Sequence, residues 1–300
     1  MRILLFLLTN AAVLLLISIL FHVLGLGDYM HQRGVPLSLD GLLLSSAVIG
    51  MSGSFISLAM SKWMAKQSMG VHVIERPSNQ TEAWLVDVIR RQSQRLGIGM
   101  PEVGIFNAPE PNAFATGMSR NSSLVAVSTG LLQRMNQDEV EAVLGHEMSH
   151  VANGDMVTMG LLQGVVNTFV YFFASIAGYL VDRVLLRSGD DDRQSYGYGP
   201  GYYVTQMIAQ LLLSVLATMI VMWFSRHREF RADAGGAQLA GRTKMIEALR
   251  ALQRSHEPQD LPGELAAFGI SGGMRSGFSK LFLSHPPLEE RIAALQNPHG

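Results

Sequence analysis

Four long stretches of the sequence contain no charged residue and are dominated by apolar side chains. They comprise residues 3–27, 41–61, 156–181 and 201–225. Each has roughly the 20 residues that a helix needs to cross the hydrocarbon core of a bilayer. The pattern therefore predicts four transmembrane helices, arranged along the chain as two pairs.

Two alternatives apply to parts of this pattern. The first stretch begins like a signal peptide, but its apolar run exceeds the ~7–15 residues of a signal core. No clear small-x-small cleavage site follows it, so we interpret it as a retained helix. The third and fourth stretches could be buried helices of a soluble core, because polar side chains in lipid need partners. These two stretches contain Gln163, Asn167, Gln206 and Gln210.

The polar sequence after the second stretch predicts one helix followed by three strands. Residues 79–96 repeat apolar side chains at helical spacing. Three short strand-like runs follow, at residues 103–106, 113–116 and 124–128. Gly, Pro and Asn separate these runs, as is typical of hairpins, so we expect a small antiparallel sheet.

A further helix has sequence signals at both of its ends. Asn136 can act as the N-cap, with Glu139 three residues later as its capping-box partner. The pair Asn153-Gly154 is a good C-terminal stop. We therefore expect a helix between these two signals.

Composition supports a membrane protein and restricts its chemistry. Charged residues make up 16% of the chain, against about a quarter in an ordinary soluble domain. The formal net charge is −1 and no basic stripe is present, so we expect no nucleic-acid partner. The chain has no cysteine, so any metal must be held by histidine and carboxylate groups.

The positions of lysine and arginine predict the orientation in the membrane. The loop between the first two stretches has only Arg33, and the loop between the last two offsets three arginines with four aspartates. Positive residues gather after the second and fourth stretches, at Lys62, Lys66, Arg76, Arg90, Arg91, Arg95, Arg226, Arg228, Arg231, Arg242 and Lys244. Because loops rich in these residues stay on the cytoplasmic side, we expect both termini and the polar domain to face the cytoplasm.

The sequence HEMSH, from His146 to His150, lies inside the capped helix and matches the H-E-x-x-H pattern. Residues i and i+4 share a helix face, so both imidazoles can reach one metal ion. Glu147 is offset by about 100° and can accept a proton from a metal-bound water. Gly145 and Ser149 leave room on this face. A chance match with a structural role is the alternative, and the position of the motif in a well-capped helix argues against it.

Glu229 is the candidate third ligand. The metzincin pattern would place a third histidine at position 156, which is Met156, and no glutamate occurs between Glu147 and Glu229. If the third and fourth apolar stretches form a helical hairpin, the bilayer returns Glu229 to the side on which the histidines lie. Asp233, one turn further, could accept the free N–H of a ligand histidine. The alternative is a charged helix that only anchors a membrane span.

Four motifs together resemble the HtpX heat-shock membrane proteases, which are relatives of the zinc-dependent CAAX prenyl proteases. The motifs are PNAFATG from Pro111, HEMSH from His146 with NGD from Asn153, EFRAD from Glu229, and SHPP from Ser284. The resemblance implies a zinc-dependent endopeptidase of the bacterial inner membrane, with its active site facing the cytoplasm. It also implies protein substrates, namely misfolded or damaged membrane proteins.

The resemblance further implies one zinc ion per chain and roles for seven residues. It assigns three metal ligands, one catalytic base, one contact to the substrate backbone and two groups that stabilise the oxyanion. These are His146, His150 and Glu229, then Glu147, then Asn112, and finally His285 and Arg291. Without the resemblance, Asn112 would be a turn residue after proline, His285 a loop histidine and Arg291 a solvated helix charge.

The predicted fold class is accordingly mainly α and integral to the membrane. It has four transmembrane helices plus a cytoplasmic, zincin-like α+β metalloprotease domain with a small antiparallel sheet. We expect a helix pair at 1–62, the first part of the protease domain at 63–155, a second helix pair at 156–225, and the rest of the protease domain at 226–300. The sequence leaves the natural substrates, the cleavage preference and the oligomeric state open.

Two other functions are consistent with parts of the sequence. A zinc-binding membrane scaffold would have a site closed by a fourth protein ligand and no need for Glu147. A transporter would place ionisable residues within its spans, whereas the four stretches contain no Asp, Glu, Lys or Arg. Both features favour the protease.

Overall fold

The computed structural model describes residues 38–186, 198–256 and 285–297, together with Ile19 and Val23, and the side chains of these residues except 184–186 and 256. The first predicted transmembrane helix, residues 3–27, otherwise lies outside the described residues. The chain divides into two units, Met1–Ile56 with Gly160–Val221, and Ser57–Met159 with Met222–Gly300.

The described elements alternate long apolar helices with a small α+β region. In chain order they are α1 (Leu39–Ser68), β1 (His72–Val73), α2 (Gln80–Leu96), β2 (Glu102–Phe106), β3 (Ala113–Ser119), β4 (Ser122–Ser128), α3 (Thr129–Arg134), α4 (Gln137–Asn153), α5 (Asp155–Leu180), a π-helical segment (Val181–Leu186), α6 (Pro200–Ala240), α7 (Arg242–His256) and α8 (Leu288–Gln296).

Three described helices are long and apolar enough to cross a membrane: Leu39–Ser68, Asp155–Arg183 and Pro200–Ala240. They correspond to the second, third and fourth predicted spans. Only 11% of an apolar 18-residue segment of α6 is buried. A helix in a soluble core would be largely buried, so this exposure favours contact with lipid.

Small residues bring α1 and α5 close together within the first unit. A Cβ atom added at Gly50 would lie 2.6 Å from the backbone N of Thr168, and one added at Gly164 would lie 3.3 Å from Cα of Met51. Helices in membranes associate through such small residues because lipid offers no hydrophobic driving force between them.

Three of the amide side chains in the third and fourth stretches, Gln163, Asn167 and Gln206, have hydrogen-bond partners. Gln206 donates from Nε2 to Oγ of Ser175 over 2.8 Å, and Gln163 donates to Oδ1 of Asn167 over 2.8 Å. The need for partners in lipid is therefore met at these positions.

The sheet of the second unit is mixed, so the prediction of an antiparallel sheet was wrong. The strand order is β1-β2-β4-β3. β3 and β4 form the expected antiparallel hairpin, but β2 pairs with β4 in parallel, with Val103 opposite Val125. The connection after β2 crosses the sheet, so that β4 lies between β2 and β3. The continuous burial of β4 is typical of a central strand with a parallel neighbour.

Both helices predicted in the polar region are confirmed. Helix α2 starts after the N-cap Asn79. Helix α4 starts with a complete capping box: Oδ1 of Asn136 accepts from the N–H of Glu139 over 3.0 Å, and Oε2 of Glu139 accepts from the N–H of Asn136 over 2.8 Å. It ends at Gly154, which has a left-handed φ of 67°.

The core of the second unit surrounds helix α4. It is built from α2, α4, α7, α8 and the sheet, and its fully buried members include Leu85, Val88, Ile89, Val125, Leu131, Leu144, Met148 and Leu249. Because α4 is held on several sides, its one partly exposed motif residue, Glu147, marks the face that is open to a ligand.

Candidate metal centre

Helix α4 places its two histidines side by side. His146 and His150 are one turn apart, and their relative exposures are only 6% and 8%. Their Nε2 atoms face each other at 3.1 Å. The predicted convergence of the two imidazoles is therefore present in the structure.

Helix α6 brings Glu229 to these imidazoles. Its Oε2 lies 3.5 Å from Nε2 of His146, and its Oε1 lies 3.4 Å from Nε2 of His150. Glu229 is fully buried. The predicted proximity of the Glu229 carboxylate to the histidine pair is therefore present in the structure.

Two consecutive glycines let α6 approach α4 so closely. A Cβ atom at Gly235 would lie 2.8 Å from Cβ of Ser149 and closer still to its Oγ. A Cβ atom at Gly236 would lie 3.0 Å from the backbone N of His146. The space beside Gly145 is likewise filled by Gly236, at 3.3 Å. The small residues of the motif helix therefore make room for α6.

The donor set fits a metal ion. One ligand atom from each of His146, His150 and Glu229 lies within 4.8 Å of the others. Oε1 of Glu229 is buried and has no hydrogen-bond partner among the described residues. Both histidines turn Nδ1 toward a carboxylate, so in the neutral tautomer that donates from Nδ1 both Nε2 atoms would offer lone pairs to one metal ion. A bound cation would satisfy all three groups.

Each histidine is oriented by an aspartate, and each aspartate by an arginine. Oδ1 of Asp233 lies 2.9 Å from Nδ1 of His146. Arg291 donates to both oxygens of Asp233, from Nε over 2.8 Å and from Nη2 over 2.6 Å. The contact that the sequence predicted for Asp233 is thus present.

Asp155 makes the corresponding contact with His150. Its Oδ2 lies 2.7 Å from Nδ1 of His150, and Nη2 of Arg231 donates to its Oδ1 over 2.5 Å. Sequence reasoning gave Asp155 no role. The available signal was its place in the Asn153-Gly-Asp155 motif directly after the metal-binding helix.

The carboxylates around the histidines favour positive charge. Burial lowers the pKa of His146, but hydrogen bonds to Asp233 and Glu229 outweigh burial and raise it to about 9. The pKa of His150 is raised in the same way, since the effect of the neighbouring carboxylates of Asp155 and Glu229 outweighs its burial. A divalent ion would meet the same preference for positive charge.

A cavity of about 600 Å³ opens beside the metal centre. Glu147 and His146 line it on one side, and Asn112 and Ala113, where β3 begins, line it on another. The backbone of Asn112 is hydrogen-bonded to Ser128. Most of the other lining is apolar: Pro111, Leu131, Val143, Met245, Leu249, Leu252, Pro286, Pro287 and Leu288.

The two residues predicted to stabilise the oxyanion also line this cavity. His285 has Nδ1 at 2.6 Å from Oε2 of Glu229, and its side chain is 59% exposed. Arg291 has Nη1 at 3.6 Å from the same oxygen, but its Nε and Nη2 are bound to Asp233. The structure brings both residues to the ligand carboxylate, and their catalytic roles stay predictions.

Fold and site together define a membrane metalloprotease. The model of "Peptidase family M48" matches residues 79–299, so the chain belongs to peptidase family M48. Membership in a peptidase family favours an enzyme over the scaffold and the transporter.

The most similar sequences agree. "Protease HtpX" of Thioalkalivibrio sulfidiphilus is 60% identical over 295 residues, covering 98% of each chain. "Protease HtpX homolog" of Nitrosomonas europaea is 60% identical, covering 99% of each chain. "Protease HtpX" of Xanthomonas campestris pv. campestris is 57% identical over 100% of this chain and 98% of its own. The resemblance drawn from the motifs is confirmed.

A solved structure shows the same fold. The crystal structure of S. mikatae Ste24p aligns with a TM-score of 0.60 at 18% identity. The alignment covers 94% of this chain and 66% of that chain. At this level of identity the likeness shows a shared fold.

Proposed function

We propose that this protein is a zinc-dependent endopeptidase that hydrolyses misfolded or damaged membrane proteins at the cytoplasmic face of the bacterial inner membrane. Its class as a membrane metalloprotease follows from the family and the site. We propose in addition that the metal is zinc, and we propose the substrates, the side of the membrane and the mechanism. The buried carboxylate of Glu229, facing Nε2 of both His146 and His150, carries it.

Zinc is the metal that suits this donor set. Two histidines and one glutamate are a common arrangement in catalytic zinc sites, which keep a further position open for water. Zinc bound by His146, His150 and Glu229 would supply an activated water at neutral pH and polarise the scissile carbonyl.

Glu147 is proposed as the general base and acid. Its side chain is partly exposed and lines the cavity beside His146. There it can take the proton of the attacking water and then deliver it to the leaving amine. Because Glu147 is offset by about 100° around α4 from the adjacent His146, it can do this without binding the metal itself.

The substrate is proposed to lie along β3. This strand is at the edge of the described sheet and begins beside the cavity. An extended peptide can pair with such an edge through backbone hydrogen bonds, which select little by sequence. Asn112 would contact the substrate backbone, and His285 and Arg291 would stabilise the negative charge that develops on the carbonyl oxygen.

Two observations support membrane proteins as substrates and the cytoplasm as the side of action. Glu229 and the fourth apolar stretch belong to one continuous helix, α6, so the sequence of the site runs directly into a candidate span. Lysine and arginine gather in the polar segments after the second and fourth apolar stretches, which also contain the site residues. This enrichment is typical of cytoplasmic segments.

Replacing Glu147 with Gln tests the mechanism. We expect Glu147→Gln to bind as much zinc as the wild type but to cleave an unfolded protein such as casein about 10²–10⁴-fold more slowly, since the base is lost and the ligands remain. Glu247→Gln is the matched control, because Glu247 is partly exposed and pairs with Arg250 on α7.

The measurements are metal content by elemental analysis and cleavage rate with purified protein in detergent. Equal cleavage by Glu147→Gln and wild type would remove Glu147 as the base. A wild type that binds zinc and cleaves nothing would instead contradict the proposed activity.

A further inference from the structure

Asp155 is a fully buried carboxylate that the proposed mechanism does not use. It is the first residue of α5 and follows Gly154, whose left-handed conformation ends α4. This turn places the Asp155 side chain against His150, which belongs to the last turn of α4. The backbone geometry at one glycine thus puts a negative charge behind a metal-binding imidazole.

Arg231 links the same carboxylate to the helix of the third ligand. It lies two residues after Glu229 on α6, and its Nη2 donates to Oδ1 of Asp155 over 2.5 Å. The other oxygen of Asp155 accepts from His150 over 2.7 Å. Asp155 therefore joins the helix that carries the histidines to the helix that carries Glu229.

We propose that Asp155 is a positioning residue for the metal centre, and this inference rests on the proposed function. By accepting a hydrogen bond from Nδ1 of His150, it fixes the tautomer in which Nε2 offers its lone pair to the metal. By accepting from Arg231, it holds α6 at the distance from α4 at which Glu229 reaches the histidines. Both contacts also compensate for burying the carboxylate charge.

A purely structural role would give a different result. An aspartate in the first turn of a helix stabilises that helix through the dipole. If this were the whole role of Asp155, its replacement would lower the stability of α5 and leave the metal affinity of the folded protein unchanged. Metal affinity therefore separates the two roles.

The experiment uses the full-length protein in detergent and titrates it with Zn²⁺ in competition with a chelator. We expect Asp155→Asn to bind Zn²⁺ about 10–100-fold more weakly, which is the range for losing a partner of a ligand histidine. Arg231→Met should weaken binding less, by about 3–10-fold, because His150 keeps its carboxylate. Co²⁺ absorption should show an altered ligand field in Asp155→Asn.

Asp138→Asn is the matched control. Asp138 is also an aspartate in the first turn of a helix, but its side chain is 70% exposed and pairs with Lys244. We expect unchanged Zn²⁺ affinity there. Thermal unfolding of the metal-free proteins shows which variants are folded.

The outcomes decide as follows. Folded Asp155→Asn with wild-type Zn²⁺ affinity overturns the proposal. If Asp155→Asn does not fold, Arg231→Met decides alone, because half of its side chain is exposed and its loss leaves the core intact. A wild type that binds no Zn²⁺ contradicts the proposed function itself, which is a separate result.

Discussion

The helix that carries two of the candidate metal ligands and the helix that carries the third are held by different interactions. α4 has a capping box at its start, formed by Asn136 and Glu139, and a left-handed glycine at its end. α6 continues from an apolar stretch into the ligand region, and it reaches α4 through Gly235 and Gly236. The position of the histidine pair therefore depends on local sequence, whereas the position of the carboxylate depends on tertiary packing.

Removing the carboxylate of Glu229 is the strongest test of the contribution that tertiary packing makes to the site. We expect Glu229→Gln to weaken Zn²⁺ binding by more than about 100-fold, beyond the range for partners of the ligands, because an anionic ligand is lost. Chelator competition measures this, and cleavage should disappear in parallel. Full retention of zinc by Glu229→Gln would point to another third ligand.

Widening the contact between α6 and α4 should have the next largest effect. Gly235→Ala places a Cβ atom against Ser149, so we expect the free energy of unfolding to fall by about 1–3 kcal/mol. This cost outweighs the gain in helix propensity of up to about 1 kcal/mol. Zn²⁺ affinity should fall as well, because Glu229 moves away from the histidines.

Two further variants sharpen this test. Ser149→Gly removes the atoms that the new methyl group meets, so the double variant Gly235→Ala with Ser149→Gly should recover Zn²⁺ affinity. Gly53→Ala is the matched control, because a Cβ atom at this helical glycine meets nothing within 4 Å. If the double variant binds Zn²⁺ no better than Gly235→Ala alone, the close approach of α6 to α4 does not determine the position of Glu229.

Removing the cap of α4 should have the smallest effect on the site. We expect Asn136→Ala to lower the free energy of unfolding by about 1 kcal/mol and to leave Zn²⁺ affinity nearly unchanged, since the helix itself fixes the histidine spacing. Asn79→Ala, at the cap of α2, should lower stability similarly. Thermal unfolding and Zn²⁺ titration together check this. A loss of Zn²⁺ affinity as large as that of Gly235→Ala would contradict the idea that the helix itself fixes the histidine spacing.

Features that depend on neighbouring residues could be predicted from the sequence. Helix α2 follows from apolar periodicity, and the bounds of α4 follow from the signals at Asn136 and Gly154. The hairpin of β3 and β4 follows from the short polar connection between them. The place of Glu229 was predicted from a physical constraint, because two membrane crossings would return a chain to its starting side.

Features that depend on distant residues could not be predicted. Strand β1 has two residues, too few for any periodicity, and its identity comes from pairing with β2. The parallel pairing of β2 with β4 depends on where the intervening strand lies, which no local pattern encodes. The contacts of Asp155 with His150 and of Gly235 with Ser149 arise only once the helices are packed.

The order of the ligands along the chain has a consequence for biosynthesis. The histidines precede the two apolar helices α5 and α6, and the carboxylate follows the apolar part of α6. A nascent chain that has emerged only as far as Asp155 holds both imidazoles and Glu147, yet not Glu229. If His146, His150 and Glu229 hold the metal as proposed, the site can be completed only after the apolar part of α6 has been translated.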